Sequence, residues 1–452
     1  MTECIQERFE FASGGARQIV AEFSGGTITS DAGSLLLQET DQKMNLLTRF
    51  AQCFSDRRSP LLIEHTLDQM LRQRVYGLAL GYEDLNDHEQ LRLDPLLGVM
   101  AGKAEPGTDL LAGKSTLNRM ELGTGTPSRY KKITFWRDSV DELLVDLFLE
   151  AHVTAPAQII LDIDTTDMAL HGNQEDKFYH GYYKHYCYLP LYIFCGDHVL
   201  CARLRPSSIG PAVGSRKEVQ RIVQQIRQRW PEVVIILRGD SGFCADELLT
   251  WCEENRVDYV VGVARNQRLE GLIAGPLAEA KQQFEATQKQ ARSFVEFEHK
   301  TLTGAWNKDR RVVAKAEHIN GKANPRFVVT SLKAERWDKQ ALYEELYCGR
   351  GDMENRIKEQ FVLFADRVSV STMRGNQLRV YLSVIAYTLM SGLRRLGLKA
   401  TTMATAQVGT IRLKVLKIGA MIQVTVRKVW VRMASSYPYQ ALYAQVLQQL
   451  RA

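Results

Sequence analysis

The sequence predicts an α/β architecture in three parts: a mainly helical region over residues 1–155, a sheet-and-helix domain over 156–400, and a basic hairpin and helix over 401–452. Three observations carry this. Apolar residues recur at helical spacing through the first third of the chain. From about residue 157 they switch to short β-branched runs with helices between them. From Arg367 onward there are 13 Lys/Arg and no Asp or Glu, which leaves the first 366 residues with 45 basic and 52 acidic side chains.

Within the helical region, SLLLQETDQKMNLLTRFAQCF (34–54), LLIEHTLDQMLRQRVYGLAL (61–80) and DSVDELLVDLFLEAH (138–152) each read as an amphipathic helix. AGKST (112–116) resembles the end of a phosphate-binding loop, but Thr108 stands where that loop needs glycine and no strand precedes it. Ser115 and Thr116 therefore read as helix starters. QIILDIDTT (158–166) alternates as a strand, and YCYLPLYIFCG (186–196) and HVLCARLR (198–205) follow as two more, joined by a Gly-Asp turn. SRKEVQRIVQQIRQRW (215–230) is a helix with Ser215 and Glu218 at capping-box spacing. EVVIILRGD (232–240) is the solid apolar run expected of a strand buried on both faces. ADELLTWCEEN (245–255) then reads as a helix and VDYVVGVA (257–264) as a strand.

The order β-β-β-α-β-α-β matches the layout of a ribonuclease-H-like core, an analogy from element order alone. RSFVEFEHKT, RRVVAKAEHI and PRFVVTSLK predict a small antiparallel sheet inserted at about 265–340. YEELYCGRGDMENRIKEQFVLF (343–364) predicts one helix, and TIRLKVLKIGAMIQVTVRKVWVRMAS (410–435) a basic hairpin before a C-terminal helix.

No apolar run approaches the roughly 18–20 residues of a membrane span. MTECIQERFEFASGG at the start is mixed in charge, without the apolar stretch of an export signal. The eight cysteines form no CxxC pair, so a reducing, cytoplasmic setting is expected. That setting argues against an adhesion role for the two Arg-Gly-Asp tripeptides, 238–240 and 350–352. A long acid-free segment with strand-like apolar runs is instead a candidate polyanion-binding surface. With it, the short helices of 1–155 become a candidate DNA-binding region.

The acids that could carry chemistry sit in unusual places. Asp162 and Asp164 share one face of an otherwise apolar strand, where carboxylates are costly unless paired or metal-bound. Asp240 ends the apolar strand EVVIILRGD, at the edge where open α/β sheets build sites. If 343–364 is one helix turning about 100° per residue, Tyr347, Arg350, Glu354 and Lys358 share a stripe and Asp352 faces away. An i,i+4 salt-bridge ladder is the ordinary alternative.

DTT at 164–166, RGDSGF at 238–243 and the spacing Y-x2-R-x3-E-x3-K at Tyr347, Arg350, Glu354 and Lys358 resemble bacterial insertion-sequence transposases of the DDE group. Specifically, they are similar to the cut-and-paste group with a Tyr-Arg-Glu-Lys signature around the third acid. The resemblance covers about 157–395. It implies a catalytic, metal-binding triad of Asp164, Asp240 and Glu354, with Asp162 competing for the first place. It implies DNA contacts from Tyr347, Arg350 and Lys358; Phe361 stands where part of the family has a further lysine. Two Mg²⁺ ions are implied, with Mn²⁺ as a substitute, and double-stranded DNA as partner, both terminal inverted repeats and target. A homodimer in the synaptic complex is also implied. Trp306, in the sheet insertion, is a candidate to stack on a flipped base, with a loop-anchoring role as the alternative. The competing functional readings are a ribonuclease-H-like DNA nuclease without strand transfer and a non-catalytic DNA-binding regulator.

Overall fold

Asn45, in the left-handed conformation at φ 48°, divides the first predicted helix into α1 (Leu35–Met44) and α2 (Leu46–Gln52). The computed structural model of the chain describes residues 8–12, 15, 17–106, 109–123, 128–301 and 305–452; Cys4 and Thr108 lie outside them. α3 (Leu67–Leu80) starts at a capping box in which Thr66 Oγ1 accepts from the Gln69 N–H at 3.2 Å and Gln69 Oε1 from the Thr66 N–H at 3.1 Å. It stops where Gly81 turns left-handed at φ 100°. α4 (Arg137–Glu150) leads into the sheet.

β1 (Gln158–Thr165), β2 (Leu191–Cys195) and β3 (His198–Arg203) form an antiparallel meander. α5 (Ser215–Arg229) then crosses to β4 (Val234–Gly239), parallel to β1. α6 (Asp246–Glu254) crosses to β5 (Val257–Val263), parallel to β4. After α7 (Ala274–Thr287) come β6 (Ala291–His299), β7 (Arg310–Ile319) and β8 (Arg326–Thr330). The sheet order is β3-β2-β1-β4-β5-β8-β7-β6, and a two-residue strand at 322–323 on β7 makes nine. The three late strands therefore do not form a separate sheet, as the sequence had suggested. β8 lies antiparallel on β5 and closes what would be an open edge at Val260 and Val261, both fully buried.

Ile159, Leu161 and Ile163 of β1 point to α4, α5 and α6 in one apolar layer. There Val219, Ile222, Val223 and Ile226 of α5 are each at most 2% exposed, contributing about 1.5–3 kcal/mol apiece by burial. The expected capping box of α5 does not form. Ser215 Oγ donates to the Ala212 carbonyl at 2.6 Å, and Glu218 is recruited by the guanidinium groups of Arg203 and Arg221. The opposite sheet face is covered by the segment 342–347, by α8 (Gly351–Val362) and by α9 (Met373–Leu396).

α9 is buried along most of its length and joins two regions that the sequence had separated. Tyr192 and Phe194 of β2, Tyr381 and Tyr387 of α9, Leu36 and Tyr76 of the N-terminal helices and Val446 near the C-terminus share one core. Charge follows the same plan. Arg379 pairs with Glu121 at 3.0 Å, Arg394 with Glu359 at 3.0 Å, Lys417 with Asp31 at 2.6 Å and Arg451 with Glu39 at 2.7 Å. Arg412 donates to the carbonyls of Leu78, Ala79 and Val362. The acid-free segment is thus not one cationic surface, as expected, because the fold returns it to upstream acids. Its solvent-facing cations include Arg427, Lys428 and Arg432 on the hairpin of β9 (Ala420–Val424) and β10 (Val429–Met433), ahead of α10 (Gln440–Arg451). Among the described residues no helix is long and apolar enough to cross a membrane.

Candidate active site

Strand register brings the first two acids together. β1 and β4 run parallel with Asp162 opposite Arg238 and Ile163 opposite Gly239. Asp164 and Asp240, one residue further, therefore leave the sheet side by side at its C-terminal edge. Each is held through one carboxylate oxygen: Asp164 Oδ1 accepts from the Thr165 N–H and Asp240 Oδ1 from the Gly242 N–H, both at 2.8 Å. Asp240 thus also forms the turn that follows its strand, and it uses only one of its two oxygens to do so.

Asp162 is spoken for. Arg238 donates to its two oxygens at 2.5 and 2.8 Å, and the remaining Nη1 donates to the Leu346 carbonyl at 2.5 Å, all buried. Burial pushes the Asp162 carboxyl up in pKa, against the pull of Arg238. The pair ties β1, β4 and the third motif into one unit.

The third motif is not one α-helix. Leu342–Tyr347 is wound as a π-helix, Cys348–Arg350 as a tight 3-10 turn, and only from Gly351 does α8 run regularly. Two local facts fit this winding. The Leu346 carbonyl is taken by Arg238, and a Cβ on Gly349 would stand 2.6 Å from Arg238 Nη1. π-turns of this kind are frequent at functional sites. The tight turn 348–350 keeps Tyr347 and Arg350, three residues apart, on one side. Arg350 and Glu354 remain neighbours one turn apart, with a 3.6 Å approach. Lys358 lies one turn further on and is exposed. Asp352 faces elsewhere, into a cleft of about 700 Å³ that it shares with Asp197, Arg356 and Arg394.

Arg350 is the hub. Its Nη1 lies 3.1 Å from Asp164 Oδ2 while its Nη2 reaches Glu354, so one guanidinium spans the first and third acids. Burial pushes the Asp164 carboxyl up to about 6; Arg350 opposes this, while the carboxylates of Asp240 and Glu354 add to it. All three acids thus share one electrostatic site. Among the described residues, no three His, Cys, Asp or Glu side chains converge closely enough to hold a metal in this conformation. The cation between Asp164 and Glu354 here is the guanidinium.

Tyr347 packs its half-buried ring on Tyr343 at 5.5 Å. Burial raises its phenol pKa, with Arg350 opposing the rise and Asp240 adding to it. A Cβ on Gly262 would stand 2.7 Å from the Tyr347 hydroxyl and 2.9 Å from the Ser241 N–H, so glycine there lets the Asp240 turn and the third motif meet over β5. Trp306 is corrected as a stacking surface. It is 3% exposed, with its ring against His299 and under Arg310, and it anchors its loop in the sheet core. Sequence reasoning missed Arg238 and Gly262. A base and an acid interrupting neighbouring apolar strands at matching positions was the available signal for Arg238.

An arginine bridging two acids, with a third acid set beside the first at the edge of a mixed sheet, defines a carboxylate centre in an α/β protein. The chain belongs to the family of transposase DDE domains, group 1, whose model matches residues 11–452. The family makes it a DNA-processing enzyme. No curated protein matches the chain. Among solved structures it is similar to a piggyBac transposase in a synaptic complex with hairpin DNA, determined by cryo-EM. That similarity has 11% identity and a TM-score of 0.43, over 94% of this chain and 82% of the other.

Proposed function

We infer that the chain is a transposase of the bacterial insertion-sequence type, cutting and joining DNA at Asp164, Asp240 and Glu354. The observation that carries this is Arg350, which reaches the first and third acids at once while register sets the second beside the first. The catalytic domain is read as ribonuclease-H-like. Support comes from the antiparallel meander β3-β2-β1 continuing into parallel β4 and β5.

The donor set suits a hard divalent cation, because it is all carboxylate oxygen, and burial first, with Asp240 and Glu354 adding to it, disfavours an uncompensated charge on Asp164. Asp164, Asp240 and Glu354 would hold two Mg²⁺ or Mn²⁺ ions, which when bound supply activation of the attacking oxygen and stabilisation of the leaving one. The residues of the chain do the positioning. Arg238 and Asp162 fix the height of the third motif against the strand ends. Arg350, released from Asp164 and Glu354, offers a planar fork to a phosphate, and Lys358 adds a point charge one turn on. Tyr347 places its hydroxyl beside the Asp240 turn, where the DNA backbone would pass.

The test uses the full chain and a supercoiled plasmid carrying the DNA that flanks the gene on both sides. Cleavage and joined product are expected with Mg²⁺ or Mn²⁺, and Glu354→Gln or Asp240→Asn should abolish both while the protein stays folded. Cleavage without joined product would make it a nuclease. Unchanged cleavage in both variants would sink the assignment.

A further inference from the structure

Immediately beyond β1 the chain pairs Met168–Ala169 with His185–Tyr188, which pairs in turn with Phe178–His180. This small three-stranded sheet rises from the strand end that carries Asp164. Its hairpin, FYHGYYKHY (178–186), holds four aromatic side chains in solvent: Phe178 is 46% exposed, Tyr179 51%, Tyr182 82% and Tyr186 47%. Such a cluster is unusual on a folded surface and marks an interaction site more often than chance.

The hairpin is anchored to the chain three residues past Asp164. His185 Nε2 lies 2.8 Å from Asp167 Oδ2. The Tyr183 phenol is held well above its ordinary pKa by burial first, then by the carboxylates of Asp167 and Asp164. Tyr182 stands edge-on to Tyr183 at 5.0 Å, so the exposed tip ring adjoins a ring that feels Asp164. Tyr179 and Tyr186 pair across the strands edge-to-face at 5.5 Å, with Lys177 over the Tyr186 ring at 5.2 Å. Lys184 is exposed at the turn. Of the acids at the hairpin's base, Glu175 is turned onto the Met373 N–H at 2.8 Å, leaving Asp176 in solvent.

We propose that hairpin 178–187 is a clamp for unpaired DNA, stacking nucleobases on Tyr182 and on the Tyr179–Tyr186 pair next to the acids that act on the backbone. The proposal deepens the reading of the chain as a DNA-cutting enzyme and rests on it for the choice of DNA. A base leaving the duplex exposes two π faces, and tyrosine rings accept any base without sequence preference. Lysines beside the rings suit the phosphates of the same strand. Trp306, which would otherwise supply the stacking surface, is enclosed in the core.

The experiment measures binding in EDTA, so no cleavage is required. The full chain is titrated into a single-stranded dT20 carrying one 2-aminopurine, and separately into a 20-bp duplex. Wild type should bind the single strand and quench the 2-aminopurine. Tyr182→Ala should weaken single-strand binding about five- to a hundredfold and relieve the quench, with duplex affinity changed less than twofold. Tyr182→Phe, which keeps the ring, should restore both, and unfolding midpoints of the variants should match wild type. Equal single-strand affinity in Tyr182→Ala and wild type would overturn the clamp, as would a wild type that does not bind dT20. Either result leaves plasmid cleavage untouched. Loss of plasmid cleavage with the clamp behaviour intact would count against the enzyme reading and not against the clamp.

Discussion

The chain contains Arg-Gly-Asp twice, and the fold uses the two copies in opposite ways. At 238–240 the aspartate goes to the acid centre, while the arginine is buried in a pair with Asp162 and a backbone carbonyl. At 350–352 the arginine goes to the acid centre, while the aspartate lines a separate cleft. Backbone period explains the reversal. On β4 residues two apart share a face, so Arg238 is drawn inward by its opposite number Asp162, and Asp240 follows on that side as the strand ends. At the start of α8, residues two apart diverge by about 200°, so Arg350 and Asp352 cannot serve one site. A tripeptide has no role until its period is known.

The comparison is broken most sharply at the two arginines. Arg238→Ala strands a buried carboxylate and frees the Leu346 carbonyl, and should cost about 3–5 kcal/mol. Arg350→Ala removes a partly solvated contact to Asp164 and Glu354 and should cost about 1 kcal/mol or less, yet abolish DNA cleavage. Urea unfolding of both variants, read beside plasmid cleavage, checks the split. If Arg350→Ala proved the more destabilising, the division between a structural and a functional arginine would be wrong.

The two aspartates of β1 sharpen it next. Asp164 carries a folded pKa of about 6 against an ordinary 3.8, so its ionised form is disfavoured by folding. Below the ordinary value the group is protonated folded and unfolded, and nothing is lost. As pH rises from about 4 to about 6 the native state loses stability, and above that the loss is constant. At about 1.4 kcal/mol per pKa unit the full loss is about 3 kcal/mol. Asp164→Asn, in EDTA, should therefore match wild type near pH 4 and exceed it by about 2–3 kcal/mol at pH 7.5. Added Mg²⁺ should narrow that gap by stabilising wild type alone. Parallel stability–pH curves would show that the charge at Asp164 is not strained. Asp162→Asn should behave differently, since its partner Arg238 would be left buried and uncompensated.

Much of this was legible in residue order. Strand and helix periods located β1, β4, β5 and the helices between them, and placed Asp164, Asp240, Arg350 and Glu354 at the ends and faces where they stand. The pairing of Asp162 with Arg238 was also readable, because Asp-x-Asp and Arg-x-Asp end neighbouring strands with one spacing. What the sequence did not show depends on partners far along the chain. The π-turn at 342–347 accompanies a carbonyl that Arg238 takes across 108 residues, and helical periodicity carries no trace of such a bond. β6, β7 and β8 were recognisable as strands, but alternation says nothing about which edge they join. The acid-free C-terminal segment looked like a cationic surface because sequence charge is one-dimensional, and three of the acids that pair with it, Asp31, Glu39 and Glu121, lie more than two hundred residues upstream of their partners.

The glycines of the two tripeptides give the smallest and cleanest contrast. Gly239 lies opposite Ile163, and a Cβ there would stand 2.8 Å from Ile163 Cγ2 and 3.4 Å from the Phe243 side chain. Both neighbours are fully buried, so β1 or β4 must shift, and with it the spacing of Asp164 and Asp240. Gly239→Ala should cost about 1–3 kcal/mol, as overpacking in a core does, and lower cleavage more than that loss alone would. Gly351 opens α8 with nothing within 4 Å of an added Cβ and with helical φ. Gly351→Ala should then leave cleavage unchanged and stabilise the protein by up to about 1 kcal/mol, by reducing the freedom of the unfolded chain. Urea midpoints of the two variants should fall on opposite sides of wild type. Destabilisation by Gly351→Ala would mean that the start of α8 needs a freedom its resting geometry does not display, as it would if Arg350 swings outward before DNA is cut.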